Sequence, residues 1–130
     1  MRLLLDTHIL LWAVLEPHKL GMPMRETLET PSTELFISAV SAWEIGTKWR
    51  LGKLPHAESV VNHYKRVIDG LGAHECPILS VESLKAAIWP VAHRDPFDRL
   101  LAAQAVHRDL TLATSDDVFR NFDGLRTVGL

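Results

Sequence analysis

The sequence has little cysteine, no long apolar segment and no excess of basic residues. Its single cysteine, Cys76, excludes an internal disulfide and a thiolate metal cluster, which fits a reducing compartment. The longest purely apolar run, residues 9–15, is far shorter than the roughly 20 residues that span a bilayer. A net charge of −2 excludes a uniformly basic nucleic-acid surface but permits a local basic groove. These absences predict a cytoplasmic protein without membrane contacts.

Length and composition predict one folded domain. A chain of 130 residues buries a sizeable core but is too short for two independent cores, so we expect a single domain over residues 1–130. The composition, 47% hydrophobic and 23% charged, is typical of globular proteins. The chain is therefore expected to fold as a compact unit.

Short apolar segments alternate with helical patterns along the chain. The predicted strands cover residues 2–5, 34–38, 77–80, 110–113 and 126–128. The predicted helices cover residues 7–15, 24–29, 39–51, 58–71, 81–91, 96–107 and 116–122. Because such alternation is typical of strands joined by helical crossovers, it predicts an α/β fold with a parallel sheet covered by helices on both faces.

Two acidic residues follow predicted strands. Asp6 comes directly after the first strand, and Asp116 comes shortly after the strand at 110–113. In an open parallel sheet, ligands bind beyond the carboxyl ends of the strands, where the strand order reverses. Each residue has an alternative role as the cap of the helix that follows it.

Glu44 lies inside the predicted helix 39–51, on a stripe with Val40, Trp43, Thr47 and Leu51. Its alternative role is an exposed ion pair with Lys48, four residues later. A carboxylate within an apolar stripe is costly to bury unless a cation meets it. A metal site therefore explains Glu44 better than the ion pair does.

Asp98 lies on the same face of the helix 96–107 as Leu101, Ala102 and Ala105. Its alternative role is a capping box, in which its carboxylate reaches back to the backbone of Asp95. The helix is so apolar that most of it must be buried. Asp98 is therefore expected to face inward.

Convergence of these carboxylates on one crevice would require cations, because neighbouring carboxylates raise each other's pKa. Mg²⁺ and Mn²⁺ are hard ions that prefer oxygen ligands. Two such ions can activate a water molecule and stabilise the leaving oxygen at phosphorus. The sequence therefore predicts phosphodiester hydrolysis.

Four segments resemble the motifs of PIN-domain ribonucleases, specifically the VapC-type toxins of bacterial type II toxin–antitoxin pairs. They are LLLDTH at 3–8, SAVSAWE at 38–44, HRDPFDR at 93–99 and TSD at 114–116. The resemblance covers essentially the whole chain. It implies a three-layer α/β/α PIN-like fold with a central parallel sheet of four to five strands. It also implies an acidic cluster that holds Mg²⁺ or Mn²⁺, formed by Asp6, Glu44, Asp98 and Asp116.

The same resemblance implies an endoribonuclease that often dimerises and is silenced by a cognate antitoxin, whose tail fills the active-site groove. Thr7 and Thr114 would support the acidic cluster. Two placements stay open. Asp117 could share or take the role of Asp116, and Asp95 could support the site as well as capping its helix.

Basic residues flank the proposed cluster and are suited to contact the phosphate backbone of RNA. The main candidates are Lys48, Arg94 and Arg99, and the further candidates are Arg50, Lys53 and Arg120. His93 is a candidate for contact with a phosphate or for a surface hydrogen bond. The seven histidines form no closely spaced pair, which disfavours a histidine zinc site.

Two other functions compete with the nuclease. An aspartyl-nucleophile phosphatase also begins with an apolar strand that ends in Asp, but it needs a second Asp two residues later, where this chain has His8. A catalytically silent α/β module that binds protein or RNA would use its acidic residues only as caps. Loss of one of the four acidic residues would have favoured the silent module, and none is lost.

Overall fold

The structure, a computed structural model, describes all residues from 1 to 130. Its strands are Arg2–Leu5 (β1), Glu34–Ser38 (β2), His74–Cys76 (β3), Thr111–Ala113 (β4) and Thr127–Val128 (β5). Its α-helices are Thr7–Leu15 (α1), Met22–Glu29 (α2), Ala39–Arg50 (α3), Glu58–Asn62 (α4), Tyr64–Gly70 (α5), Ser80–Ile88 (α6) and Pro96–His107 (α7). Three short 3₁₀ turns cover Pro17–Lys19, Pro55–Ala57 and Asp117–Asn121.

The five strands form one parallel sheet in the order β3-β2-β1-β4-β5. The chain runs outward from β1 through β2 to β3, and then returns to the other side of β1 for β4 and β5. The strand order therefore reverses between β1 and β4. Since ligand crevices open at such a reversal, the carboxyl ends of β1 and β4 mark the expected site.

Helices cover both faces of the sheet, and two hydrophobic cores result. Leu3 and Leu5 point into one core, which contains side chains from α1, α2, α4 and α5. Leu4 points into the other core, which α6 and α7 close. Successive residues of a strand face opposite sides, so the fully buried run at 3–5 serves both cores. The prediction of a three-layer α/β/α fold is confirmed.

The predicted strand at 77–80 is wrong. The strand lies three residues earlier, where residues 74–76 pair with residues 36–38 of β2. Pro77 has no N–H for a strand ladder and ends the pairing, while Ile78 and Leu79 are exposed. The true strand carries two exposed polar residues because it lies at the edge of the sheet, so its sequence lacks a continuous apolar run.

Several predicted helices differ from those observed. The helix predicted over 81–91 begins at Ser80 and ends at Ile88, before Pro90, and the segment predicted as a helix over 116–122 forms a 3₁₀ turn, Asp117–Asn121. The helix predicted over 58–71 is divided into α4 and α5 at His63, which leaves the helical conformation with φ −131° and ψ 37°. Val60 in α4 and Ile68 in α5 are both buried, so both short helices pack against the core. Helix α2 begins at Met22, two residues earlier than predicted, because Pro23 is tolerated in a first turn.

The predicted inward stripe of α3 is only partly correct. Trp43 is 61% exposed and Leu51 is also exposed, whereas Glu44 and Ile45 are buried. The inward face is therefore rotated by about one residue from the predicted stripe. None of the helices combines the length and apolar character needed to cross a membrane.

Candidate metal centre

Five carboxylates line one cavity of about 220 Å³ beyond the carboxyl ends of β1 and β4. Four of them are Asp6, Glu44, Asp98 and Asp116, and the fifth is Asp95. The helices explain this convergence, because α1 and α3 begin directly after β1 and β2, and α7 begins at the same edge of the sheet before it leads into β4. The structure thus brings together the acidic residues predicted from the sequence.

Asp6 is buried and held in place from several directions. Its Oδ2 accepts a hydrogen bond from Thr114 Oγ1 at 2.7 Å and lies 3.1 Å from His8 Nδ1. Its Oδ1 accepts from the backbone N–H of Thr7 at 2.7 Å. Asp6 therefore caps α1 and lines the cavity at the same time, so the two roles that the sequence left open are compatible.

Two buried hydroxyls connect the helices that carry the first two carboxylates. Thr7 Oγ1 lies 3.0 Å from Ser41 Oγ, which joins the first turn of α1 to α3. Ser41 precedes Glu44 by three residues and lies on the same side of α3. This contact fixes the separation of Asp6 and Glu44 and agrees with a supporting role for Thr7.

The Glu44 side chain is only 7% exposed, and its two oxygens differ. Oε2 accepts a hydrogen bond from Lys48 Nζ at 2.5 Å. Oε1 is buried and has no partner. Although burial lowers the pKa of Lys48, the hydrogen bond and charge of Glu44 raise it overall, so the ammonium stays charged. The predicted ion pair is present, but one carboxylate oxygen remains to be satisfied.

Asp98 does not form the capping box that was its alternative role. Its Oδ2 is 2.7 Å from His93 Nε2, and the cap of α7 is Asp95, whose Oδ1 accepts from the backbone N–H groups of Phe97 and Asp98. Burial raises the pKa of Asp98, the hydrogen bond to His93 opposes this, and the charges of neighbouring carboxylates add to it, so that the pKa lies at about 6. The fold therefore makes ionisation of the Asp98 carboxyl less favourable than it is in water.

Asp116 and Asp117 point in different directions. Asp116 lines the cavity, its Oδ1 accepts from the Val118 N–H at 3.1 Å, and its own N–H donates to Thr114 Oγ1 at 3.0 Å. The Asp117 side chain is 84% exposed and pairs with Arg120 at 3.0 Å. The geometry therefore favours Asp116 as the member of the cluster and gives Asp117 and Arg120 a surface ion pair.

Arg99 has a different environment from the one expected of an RNA-contacting residue. Its guanidinium donates four hydrogen bonds of 2.6 to 2.8 Å to backbone carbonyls of Ala86, Trp89, Val91 and His93. These contacts fasten the segment between α6 and α7 to the start of α7. Of the other RNA candidates, Lys48 lines the cavity and Arg94 is exposed.

Sequence reasoning missed His8 as part of the site. His8 lines the cavity and bridges Asp6 to Ser115, whose Oγ lies 2.8 Å from His8 Nε2. Its position two residues after Asp6, in the first turn of α1, was a signal that could have placed it there.

The residues of the cavity fit a divalent cation. Hard cations take carboxylate oxygens, and here several carboxylates share one cavity while a buried oxygen of Glu44 lacks any donor. Burial, together with the charges of neighbouring carboxylates, raises the pKa of Asp98. A bound cation would satisfy the free oxygen and offset the repulsion between the carboxylates.

The model of the PIN domain family matches residues 3–125. The crystal structure of VapBC2 from Rickettsia felis, bound to a DNA fragment from its promoter, is similar at a TM-score of 0.68 and 15% identity, with 98% of each chain covered. DNA-bound VapBC from Salmonella typhimurium is similar at a TM-score of 0.68 and 17% sequence identity, with 98% of this chain and 97% of that chain covered.

FitAcB from Neisseria gonorrhoeae is similar at a TM-score of 0.65 and 19% sequence identity, with 96% of this chain and 95% of that chain covered. At these identities the likeness shows a shared fold. No curated protein sequence matches the chain.

Proposed function

Because this chain belongs to the PIN domain family, we propose that it is an endoribonuclease dependent on Mg²⁺ or Mn²⁺. In the cell it would act as the toxin of a type II toxin–antitoxin pair. The observation that carries the proposal is the cavity lined by Asp6, Glu44, Asp98 and Asp116, in which a buried carboxylate oxygen lacks any partner. Its position at the reversal of strand order is the expected place for a ligand.

The four carboxylates would hold the cation. When bound, it supplies an activated water and neutralises charge on the phosphate during hydrolysis. The protein contributes fixed ligand positions, because Thr114 and the start of α1 hold both oxygens of Asp6. Side chains that cannot rotate lose little entropy when they bind a cation, so this support is part of the site.

Positive charge at the cavity would help to bind RNA. Lys48 uses one N–H of its ammonium for Glu44, which leaves two donors available for phosphate oxygens at the cavity edge. Arg94 is exposed beside Asp95 and can contact the RNA backbone. Arg99 is excluded from this set because its guanidinium is occupied by backbone carbonyls.

The partners in this proposal are a cognate antitoxin and a second copy of the chain. The similar structures from Rickettsia felis and Salmonella typhimurium are VapBC complexes, which supports an antitoxin partner. Hydrophobic side chains on one face of α6, Val81, Leu84 and Ile88, are exposed, and a homodimer contact would cover them. Light scattering of the purified chain tests the dimer.

RNA cleavage by the purified chain, free of any antitoxin, tests the activity. We expect a structured RNA to be cut with Mg²⁺ or Mn²⁺ and to remain intact with EDTA. Asp6→Asn should abolish cleavage, while Asp69→Asn, an exposed acidic residue on α5, should leave it unchanged. Cleavage that survives both chelation and Asp6→Asn would contradict the mechanism. Metal binding without cleavage of any RNA would favour the silent module instead.

A further inference from the structure

We propose that the His93 imidazole supplies a nitrogen ligand to the cation of this cavity, beside Asp95 and Asp98, and thereby makes the site prefer Mn²⁺ over Mg²⁺. The inference rests on the proposed metal-dependent function and adds a ligand and a metal preference to it. It concerns a residue for which the sequence offered only a phosphate contact or a surface hydrogen bond.

The geometry of these three side chains suits a single cation. His93, Asp95 and Asp98 each offer a ligand atom, and these atoms all lie within 4.8 Å of one another. His93 Nε2 and Asp98 Oδ2 are separated by 2.7 Å. Ligands at right angles on an ion with bonds of about 2.1 Å are about 3.0 Å apart, and opposite ligands are about 4.2 Å apart. Small shifts would therefore bring all three atoms onto one ion.

A second observation points to a cation rather than to hydrogen bonds within the cluster. Glu44 Oε1 is buried and has no hydrogen-bond donor, and the Glu44 side chain lines the cavity together with Asp95 and Asp98. A hydrogen bond between His93 and Asp98 does nothing for this oxygen. A cation in the cavity would satisfy Glu44 as well as the three clustered side chains.

His93 is held in place independently of its contact with Asp98. Its backbone carbonyl accepts a hydrogen bond from Arg99 Nη1 at 2.7 Å. Its ring lies edge-on to Phe122, with centroids 6.3 Å apart, and the side chain is 25% exposed. The imidazole is therefore positioned beside the cavity by the surrounding fold, as a ligand needs to be.

Nitrogen in the ligand set changes which cation binds best. Mg²⁺ binds almost only through oxygen, whereas imidazole suits first-row transition metals. Among the ions that tolerate carboxylates, Mn²⁺ is the hardest one that also accepts imidazole. A site with several carboxylates and one imidazole should therefore bind Mn²⁺ more tightly than Mg²⁺.

Calorimetric titration of the full chain with Mn²⁺ and with Mg²⁺ tests the inference, using His93→Gln and the control His107→Gln. His107 is exposed at the opposite end of α7. We expect His93→Gln to weaken Mn²⁺ binding at least about tenfold while Mg²⁺ binding changes little, and His107→Gln to alter neither. Equal weakening of both cations would show that His93 only positions Asp98, and unchanged binding would show no role. Either result overturns the inference.

Electron spin echo spectroscopy of the Mn²⁺-loaded wild type gives an answer that does not depend on how the variant folds. We expect a coupling from one imidazole ¹⁴N, and its absence would contradict the inference. The two proposals fail differently. If the wild type binds neither cation, the metal centre itself is wrong. A second outcome is that both cations bind, that Asp6→Asn abolishes this binding, and that no ¹⁴N coupling appears. In that case the metal centre is correct and only the role of His93 is wrong.

Discussion

Substitution of Arg99 should destabilise the fold, although the sequence suggested that this residue contacts RNA. The guanidinium joins four backbone carbonyls on the segment from the end of α6 to His93. A hydrogen bond to a charged group contributes about 1.5 to 3 kcal/mol, but carbonyls released into a partly exposed loop recover water. With about 1 kcal/mol for each bond, Arg99→Ala should lower the free energy of unfolding by about 4 kcal/mol.

Such a loss is large against a typical stability of about 5 to 15 kcal/mol for a small domain. Urea denaturation monitored by circular dichroism measures it. Arg99→Lys should cost about half as much, because one ammonium cannot reach all four carbonyls. The control is Arg94→Ala, an exposed neighbour, which should change stability by less than about 0.5 kcal/mol. A loss below about 1 kcal/mol for Arg99→Ala would refute the assignment of Arg99 to the fold.

Two further predictions concern buried carboxyl groups. Burial tends to raise the pKa of Glu82, but hydrogen bonds from Arg108 and Gln104 outweigh it and hold the pKa below the ordinary 4.5. Its ionised form therefore stabilises the fold above pH 4.5, and this contribution is lost as the pH falls through the lower folded pKa. Glu82→Gln should lower the free energy of unfolding by about 2 kcal/mol, as measured by urea denaturation at pH 7, and should remove this acid dependence. An unchanged dependence of stability on pH would contradict the prediction. The pKa of Asp98 is about 6 in the folded protein, against an ordinary value of 3.8 in the unfolded chain. Ionisation of Asp98 therefore destabilises the metal-free fold, and stability falls as the pH rises from 3.8 through 6. Asp98→Asn, whose amide can still pair with His93, should raise the unfolding free energy without metal at pH 7 by up to about 3 kcal/mol; a lower value would contradict the reasoning.

The parts of the fold with strong local signals were predictable from the sequence. The bounds of β1, α1 and α7 were predicted correctly, because an apolar run ends at Asp6 and because Asp95 and Pro96 mark a helix start. The edge strand β3 was misplaced because its residues are mostly polar and exposed. A strand at the edge of a sheet needs only one apolar face, so its sequence carries a weak signal.

The acidic residues of the site were predictable for a similar reason. Asp6 follows β1 directly, Asp116 follows β4 after two residues, and Glu44 and Asp98 lie on helices that must be largely buried. Their local contacts were harder to predict. The carbonyls that Arg99 binds and the contact between His93 and Asp98 depend on the path of residues 89–95. This segment has no regular secondary structure, so its sequence shows no periodic pattern.

The most direct test of the proposed active centre compares two adjacent acidic residues. Asp116→Asn should lower the Mn²⁺-dependent rate of RNA cleavage at least about tenfold, since Asp116 lines the cavity. Asp117→Asn should leave the rate near that of the wild type, because Asp117 points outward to Arg120. Equal rates for the two variants, or a larger loss for Asp117→Asn, would contradict the proposal that the four carboxylates of this cavity form the active centre.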